Sequence, residues 1–328
     1  MRLLSLILFG IFSICAPARS DNLNSQPRLK VKLALTSQPE NALIHLAISK
    51  GYFDAEGLDV NTEIFQFGRL ALEAAIDGRA DIATAAETPL MFNILKDTKL
   101  FILASMATSN SNNAIIARRE MGISKASDLR GKVIGFTPGT TGDFFLSSLL
   151  TTQGLKRSDV KGIELKPDEM KEALLAKKVD AVSTWNFALA QIELALGANG
   201  VTIYDKDVYS EVFNIVAMQD YTKQNPAILA KFLRAVIKAE DFALKNPSEV
   251  IELVASAAKV EYALLKKIWS AFKFHLGLEE ILLITLEDEA RWAISNKLTD
   301  KSQIPDFTSY IYFDSLKAIK PEAIKIKR

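Results

Sequence analysis

KVIGFTPGTTGDFFLSSLL, residues 132–150, is the stretch from which we infer the fold. A short β-branched apolar run ends at Phe136, Pro138 and Gly139 interrupt it, and apolar residues recur at helical spacing from Phe144. The stretch therefore predicts a strand, a tight loop and the start of a helix. An ordinary strand-to-helix turn has the same composition, so other segments must decide whether the loop is functional.

The loop in this stretch has the properties of an anion site. In an open α/β sheet, ligands lie beyond the carboxyl ends of the strands, where a helix N-terminus offers unpaired backbone N–H groups and a positive dipole end. Glycines let the backbone approach a ligand closely, and threonine hydroxyls can donate to it. The candidate residues are Thr137, Gly139, Thr140, Thr141 and Gly142.

The composition indicates a globular protein and excludes several functions. The chain has 328 residues, of which 49% are hydrophobic, and a formal net charge of +1. It is long enough for two lobes that each have a core. Without a basic stripe no nucleic-acid partner is expected, and the single cysteine and two histidines have no metal-ligand spacing. We expect neither a metal nor a cofactor.

The first twenty residues have the features of a secretory signal peptide. Arg2 precedes an apolar run over residues 3–14, and small residues follow at Ala16, Ala18 and Ser20. We therefore expect residues 1–20 to be removed on export to the periplasm. Lipidation of Cys15 is the rival interpretation, which the bulky Ile14 disfavours.

A repeat in the sequence predicts two lobes. A βαβαβ pattern over residues 29–85 recurs over residues 133–184, and the third strands are alike, GRADIAT against KKVDAVST. Alternating strands and helices of this length predict α/β lobes with mostly parallel sheets and right-handed crossovers. Polar residues 108–113 and the apolar stretch 209–218 are candidate crossovers, so a two-stranded hinge is expected to close the lobes around a ligand.

The expected domain bounds follow from these crossovers. Residues 21–108 would form the first part of lobe 1, and residues 109–213 would form lobe 2. Residues 214–328 would return to lobe 1 and add C-terminal helices, since apolar stripes at helical spacing begin after Pro226.

The carboxyl ends of the strands from both lobes are expected to line a cleft. Besides the loop residues above, the candidates there are Ser37, Gln38, Phe67, Glu87, Thr88, Trp185 and Asn186, with Phe187 packing on the apolar part of a ligand. This set binds rather than reacts, because no nucleophile beside a base and no carboxylate pair across the cleft is evident. A small organic anion is the expected ligand. For Trp185 a place in the core, and for Glu87 a helix-capping role, are the structural alternatives.

Five segments in this order resemble type II periplasmic binding proteins. They are KGYFDAEGLDV at 50–60, ALEAAIDGRADIATAAETP at 71–89, SDLRGKVIGFTPGTTGDFFL at 127–146, DAVSTWNFA at 180–188 and PDFTSYIYFDSLK at 305–317. They are similar to the nitrate-, sulfonate- and taurine-type (SsuA/THI5-like) solute-binding proteins of ABC importers, which share a fold superfamily with thiamin-pyrimidine-precursor proteins. The resemblance covers essentially the whole chain after the signal peptide.

The resemblance implies a monomeric, non-enzymatic protein that delivers a small anionic ligand to an inner-membrane ABC permease and its ATPase. It also implies that Phe213 and Asn214, on the return crossover, close the hinge side of the cleft. Two departures from the family pattern are visible. Asn186 and Phe187 follow Trp185, where relatives often have an acidic residue and a proline. The first loop has Pro39-Glu40-Asn41-Ala42, whereas pyrimidine-precursor relatives have a PxxHA-type start.

Three alternatives stay open at this point. The ligand could be a pyrimidine-type thiamin precursor or an aromatic acid. The fold could instead host a lyase or dehydratase, with Glu87 or Asp143 as the general base. A sensor subunit that reports its ligand to a membrane receptor is the third alternative.

Overall fold

The computed structural model describes residues 27–327, so the predicted signal peptide and Cys15 lie outside the described residues. The strands are β1 (Leu29–Thr36), β2 (Leu58–Phe65), β3 (Ile82–Ala86), β4 (Leu100–Ser109), β5 (Asn113–Arg118), β6 (Val133–Phe136), β7 (Lys161–Glu164), β8 (Ala181–Trp185), β9 (Gly200–Ile203), β10 (Glu211–Met218) and β11 (Lys273–Gly277).

Helices alternate with the strands and then dominate the C-terminal part. They are α1 (Ala42–Ser49), α2 (Tyr52–Ala55), α3 (Gly68–Ile76), α4 (Glu87–Leu95), α5 (Thr141–Thr152), α6 (Met170–Leu175), α7 (Asn186–Leu196), α8 (Gln219–Gln224), α9 (Pro226–Lys245), α10 (Pro247–Ala258), α11 (Tyr262–Ile268), α12 (Glu280–Ser295) and α13 (Phe313–Ile319).

The strands form two sheets, one in each lobe, which confirms the two-lobed α/β prediction. Lobe 1 has the order β11-β4-β10-β3-β1-β2, and lobe 2 has the order β7-β6-β8-β5-β9. The central strand of each βαβαβ unit, β1 or β6, pairs in parallel with both of its neighbours. Such parallel pairs need crossover connections, which the helices supply.

Both sheets are mixed, so the expectation of mostly parallel sheets holds only for the βαβαβ units. β10 pairs antiparallel with β3 and β4, and β5 pairs antiparallel with β8 and β9. The reason is that β5 and β10 enter their sheets from the opposite lobe and run against the strands already there. Because β10 begins at Glu211, the boundary expected between residues 213 and 214 falls inside this strand.

Two short crossovers connect the lobes. Residues 110–112 join β4 to β5, and residues 204–210 join β9 to β10. Each crossover leads directly into a buried strand that lies inside the receiving sheet. The two segments that form the hinge are therefore short and are anchored at a buried strand in each case.

β5 shows why lobe 2 has a core on each face of its sheet. Ile115 and Ala117 belong to a cluster with Phe145 and Leu149 of α5, whereas Ala114 and Ile116 belong to a cluster with residues of α6 and α7. Alternate side chains of a strand point to opposite faces, so a continuously apolar strand must be covered on both. Lobe 1 has one large core, in which α1 packs against α9 and α10.

Candidate ligand-binding cleft

A cleft lies between the lobes, at the carboxyl ends of β1, β3, β6 and β8. Its cavity volume is about 20 Å³. The residues that line it are Gln38, Glu40, Phe67, Gly68, Arg69, Ala86, Pro89, Thr140, Thr141, Trp185, Glu211 and Phe213. Both lobes and the return crossover strand contribute to this lining, as a site that forms on lobe closure requires.

The N-terminus of α5 forms the lobe 2 side of the cleft. Thr140 is the N-cap residue with extended backbone, and Thr141 is the first helical residue. The first N–H groups of a helix have no carbonyl partner within the helix, so that of Thr141, which lines the cleft, is available to a ligand. Gly139 has a φ of +66°, a left-handed conformation that suits glycine and lets the chain turn sharply into the helix.

The threonine hydroxyls are engaged within the protein. Thr140 Oγ1 donates to the carbonyl of Thr137 at 2.7 Å, Thr137 Oγ1 donates to the carbonyl of Leu165 at 2.7 Å, and Thr141 Oγ1 donates to Asn113 Oδ1 at 2.9 Å. A hydroxyl has one proton, so these groups retain only acceptor capacity. An anion at this place would therefore depend on backbone N–H groups rather than on the hydroxyls.

Asp143 stabilises the loop from inside. Its Oδ2 accepts a hydrogen bond from the Gly139 backbone N–H at 3.1 Å, and Arg157 lies 3.9 Å from its Oδ1. Burial raises the pKa of Asp143 to about 6, although the Gly139 N–H and the Arg157 charge oppose the shift. The carboxyl group thus occupies one N–H donor of the loop and leaves the N–H of Thr141 to the cleft.

Trp185 packs closely on the start of α5. A Cβ atom at Gly142 would lie 3.2 Å from the Trp185 ring and 3.2 Å from the Ser183 carbonyl, so a side chain there would displace the ring. Trp185 is 5% exposed, and Phe67 and Phe213 line the same cleft from lobe 1. Three aromatic side chains therefore supply an apolar wall for an organic ligand.

A pair of carboxyl groups forms the lobe 1 side of the cleft. Glu40 Oε1 accepts hydrogen bonds from Asn112 Nδ2 at 3.0 Å and from Asn186 Nδ2 at 3.1 Å. Glu211 Oε2 accepts from Asn112 Nδ2 at 2.8 Å and from Asn113 Nδ2 at 2.7 Å. The amide of Asn112 therefore joins the two carboxyl groups, and that of Asn186 joins lobe 2 to lobe 1.

Burial governs the ionisation of this pair. Glu40 is 2% exposed and Glu211 is 3% exposed, and among the described residues neither has a Lys, Arg or His within ion-pair distance. Burial, and then the charge of Glu211, raise the pKa of Glu40 to about 8. Burial also raises the pKa of Glu211. Two adjacent buried carboxyls without a cation cannot both ionise readily, so the pair holds a proton at neutral pH.

Arg69 is the cationic residue of the cleft lining. Its guanidinium donates a hydrogen bond to the Pro138 carbonyl at 3.0 Å, from α3 of lobe 1 to the loop before α5 of lobe 2. The side chain is 37% exposed and lies over the Phe67 ring. Arg69 thus connects the lobes at the edge of the cleft and adds positive charge beside the N-terminus of α5.

Comparison with known proteins places this geometry in a family. The family model described as NMT1/THI5 like matches residues 38–250, which is more than half of the chain. The chain belongs to the NMT1/THI5-like family. The matched region begins at the loop after β1 and includes both crossovers, so it covers the whole cleft.

Individual relatives agree with this assignment. A candidate binding protein of Brucella abortus (strain 2308) is 28% identical over 224 residues, which cover 66% of this chain and 68% of the relative. The riboflavin-binding protein RibY of Chloroflexus aurantiacus is 26% identical over 248 residues, which cover 73% of this chain and 69% of RibY.

The solved structures show the fold. The periplasmic aliphatic sulphonate binding protein SsuA from Escherichia coli superimposes with a TM-score of 0.74 at 18% identity, over 86% of this chain and 92% of SsuA. The likeness confirms the periplasmic-binding-protein fold predicted from the sequence.

Within this NMT1/THI5-like chain, six of the predicted ligand residues lie in the inner cleft. They are Gln38, Phe67, Thr140, Thr141, Trp185 and Phe213. Ser37, Asn186 and Phe187 line an adjoining outer cavity, which shares Gln38 and Trp185 with the inner cleft. Gly139 lies at the opposite mouth, beside Arg69 and Phe92.

Several predicted residues lie behind the cleft lining instead. Glu87 is fully buried, and its carboxyl accepts hydrogen bonds from the Tyr209 hydroxyl and, at 2.8 Å, from the Val212 N–H. The hydroxyl of Thr88 donates to Glu289, and Asn214 bonds to Ser105 and to the Val212 carbonyl. Thr137 and Gly142 support the loop without lining the cleft. The side chains of Glu87, Thr88 and Asn214 therefore hold the hinge and the base of α4 together.

Sequence reasoning missed Glu40, Arg69 and Glu211 as cleft residues, and Asn112 and Asn113 as their supports. The sequence contains one clue to the role of Glu211, because this glutamate is the first residue of a strand, β10, that is otherwise mostly apolar. A buried carboxyl group needs partners. The adjacent asparagines of the first crossover are partners of the right kind, but their separation from Glu211 by nearly a hundred residues hid the pairing.

The described residues contain neither a group of three or more His, Cys, Asp or Glu side chains placed to hold a metal ion nor a helix suited to crossing a bilayer.

Proposed function

We propose that this protein is the substrate-binding component of an ABC importer, which captures a small organic solute between its lobes. The single observation that carries the proposal is the cleft at the carboxyl ends of both βαβαβ units, bounded by two short crossovers. Lobes joined in this way close on a ligand about the hinge. Membership of a family whose relatives include named binding proteins supports the same function.

The proposed ligand is a small organic anion of the sulfonate, taurine or nitrate type. The N–H group of Thr141 would bind its anionic head, together with the positive end of the α5 dipole. Arg69 adds a cation beside them. Trp185, Phe67 and Phe213 would pack on the apolar part.

A planar heterocycle of the pyrimidine-precursor type is the second candidate ligand. The observation that favours it is the aromatic lining of the inner cleft, because Trp185, Phe67 and Phe213 supply three ring surfaces.

Binding without catalysis is part of the proposal. The two carboxyl groups considered as general bases, Glu87 and Asp143, both accept hydrogen bonds within the protein. A general base must reach the proton that it abstracts. Neither side chain lines the inner cleft, so neither reaches a ligand there as a general base.

The proposed setting is the periplasm, where a monomer would deliver its ligand to an inner-membrane permease and its ATPase. The signal-peptide pattern of residues 1–20 supports export.

A thermal-shift screen of the chain from Asp21 onward tests the proposal. The compounds are alkanesulfonates, taurine, nitrate, aromatic carboxylates and aminopyrimidines. A ligand at a hundred times its dissociation constant stabilises by about 2.7 kcal/mol, which corresponds to a rise of roughly 5–10 °C in the unfolding midpoint. A rise with the anions alone supports the anionic ligand, and a rise with aminopyrimidines alone replaces it with the second candidate. Conversion of a bound compound, followed by mass spectrometry, would contradict a binding role.

A further inference from the structure

Glu40 has a carboxyl oxygen that no protein donor reaches. Its Oε1 is held by the amides of Asn112 and Asn186, but its Oε2 is buried and has no N–H or O–H donor among residues 27–327. Glu40 also lines the inner cleft. A buried oxygen without an N–H or O–H donor is costly, so it needs either a proton shared with Glu211 or a donor from a ligand in the cleft.

Glu211 is the charged group that faces Glu40. When Glu40 carries a proton, it donates a hydrogen bond to Glu211, which stabilises the ionised form of that carboxyl. The other neighbours of the pair, Asn112, Asn113 and Asn186, are neutral amides. Arg69 lines the same cleft from α3, where it bonds to Pro138. In the free protein, therefore, the proton shared by Glu40 and Glu211 occupies the position at which a hydrogen-bond donor of a ligand could bind.

The carboxyl pair and the N-terminus of α5 are close together. Asn113 bridges them, because its Nδ2 donates to Glu211 at 2.7 Å and its Oδ1 accepts from the Thr141 hydroxyl at 2.9 Å. The cleft thus presents hydrogen-bond donors for an anion on the lobe 2 side and acceptors on the lobe 1 side, one amide side chain apart.

We propose that Glu40 and Glu211 select a ligand that carries an N–H donor, an ammonium or amidinium group, on the same molecule as its anionic group. This inference rests on the proposed function and narrows its ligand to a zwitterion. A ligand ammonium would donate to Glu40 Oε2 and take the place of the proton that the pair shares. Glu40 Oε1 and Glu211 Oε2, which already accept hydrogen bonds from asparagine amides, would keep those hydrogen bonds.

The exchange has a defined proton balance. Protonated Glu40 and an ammonium ligand become ionised Glu40 paired with that ammonium, and one proton leaves for the buffer. An uncharged or purely anionic ligand leaves the proton on Glu40. Binding of the zwitterion should therefore release up to one proton below the pKa of Glu40, about 8, whereas the anion alone should release none.

Three sulfonates with the same two-carbon chain and different terminal groups distinguish a zwitterionic ligand from a purely anionic one. They are 2-aminoethanesulfonate, 2-hydroxyethanesulfonate and ethanesulfonate, titrated calorimetrically into the chain from Asp21 onward at pH 7. Repeating each titration in buffers with different ionisation enthalpies counts the protons released. The amine should bind about tenfold or more tightly than ethanesulfonate, because charge-assisted hydrogen bonds are the stronger kind.

The substitution Glu40→Gln tests the residue. It should abolish both the preference for the amine and the proton release. Glu193→Gln is the matched control, because Glu193 also connects the lobes, through Lys267 at 3.1 Å, but lies outside the inner cleft. It should keep both properties. If Glu40→Gln does not fold, Asn186→Ala, which removes one amide that holds Glu40, should reduce the preference instead.

Each failure has a distinct signature. Equal affinity for the amine and for ethanesulfonate, or a preference that survives Glu40→Gln, overturns the inference and leaves the anionic ligand in place. If none of the three sulfonates binds, the anionic ligand itself is wrong. Binding of 4-aminopyrimidine, lost in Glu40→Gln, would then retain the role of Glu40 as the N–H acceptor but overturn the zwitterion.

Discussion

Asp81 in lobe 1 and Asp180 in lobe 2 have the same structural role. Asp81 Oδ2 accepts the backbone N–H of Lys32 in β1, and Asp180 Oδ2 accepts that of Val133 in β6, both at 2.8 Å. The loops at the other end of β1 and β6 differ. Lobe 1 places the carboxyl of Glu40 in the cleft, and lobe 2 places the N-terminus of α5 there.

This comparison separates the parts of the repeat that build a lobe from the parts that bind. The repeated aspartates fix where the third strand of each unit meets the first, and that requirement is the same in both lobes. The cleft loops have no such shared requirement, so one supplies hydrogen-bond acceptors and the other supplies donors. Two copies of one topology thereby give a cleft with two chemically distinct sides.

The largest expected effect concerns the acidic side. A carboxyl whose pKa is higher in the folded than in the unfolded protein binds more protons when folded, so stability falls as pH rises between those values. For Glu40 the interval runs from about 4.5 to about 8. We expect the free energy of unfolding to fall over this interval by about 1.4 kcal/mol per pH unit for each such proton.

Urea denaturation at several pH values between 5 and 9 measures this slope. Glu40→Gln should make it shallower, since the amide cannot titrate, while the buried carboxyls of Glu87 and Glu289, whose pKa values are also raised by burial, keep part of it. A stability that does not fall with pH over this interval would mean that the carboxyl pair is already ionised in the folded protein.

The donor side is tested by two substitutions at one position. Thr141→Pro removes a backbone N–H at the first helical position, where proline is well tolerated, and the extended Thr140 before it suits proline. Thr141→Ala keeps the N–H and loses only the hydroxyl. Because a hydrogen bond to a charged group contributes about 1.5–3 kcal/mol, Thr141→Pro should weaken sulfonate binding at least tenfold.

Calorimetric titration of both variants makes the distinction. The affinity of Thr141→Ala should stay within a few-fold of the original protein. Equal losses in the two variants would assign the effect to the hydroxyl and its bond to Asn113 instead.

A smaller effect tests the shared role of the aspartates. Asp180→Ala should destabilise lobe 2 by about 2 kcal/mol, because its bond to Val133 is partly buried. Asp81→Ala should cost about 1 kcal/mol, since water can reach the exposed N–H of Lys32. Hydrogen exchange at β1 and β6, followed by mass spectrometry, would localise each change. Protection lost in the wrong lobe would contradict the equivalence.

The smallest effect is expected at an exposed contact between the lobes. Lys267 of α11 pairs with Glu193 of α7 at 3.1 Å, and its side chain is 41% exposed. Exposed ion pairs contribute about 0–1 kcal/mol and are screened by salt. Lys267→Ala should therefore shift the thermal midpoint by less than about 4 °C, less still at high salt. A larger shift would show that this pair contributes more to the contact between the lobes than an exposed ion pair ordinarily does.

The local pattern of the sequence was sufficient to predict the lobes and the start of α5. Alternating apolar strands and helices, and the threonines and glycines of residues 137–142, depend on neighbours in the chain. The roles of the glutamates do not. Glu40 and Glu87 each follow a buried strand, but Tyr209, 122 residues away, binds Glu87 behind the cleft. Asn186, 146 residues from Glu40, holds that carboxyl in the cleft. Only these tertiary contacts distinguish the cleft residue Glu40 from the structural residue Glu87.

The insertion of β10 between β3 and β4 has a consequence for the order of assembly. Lobe 2 is made of one continuous segment, from Asn113 to Ile203, so its sheet can form as soon as that segment is available. The sheet of lobe 1 cannot close until residue 218 has followed, because β3 and β4 lack their shared neighbour. During synthesis, which starts at the N-terminus, lobe 2 can therefore fold before lobe 1 is complete. Until residue 218 is available, the facing edges of β3 and β4 stay unpaired.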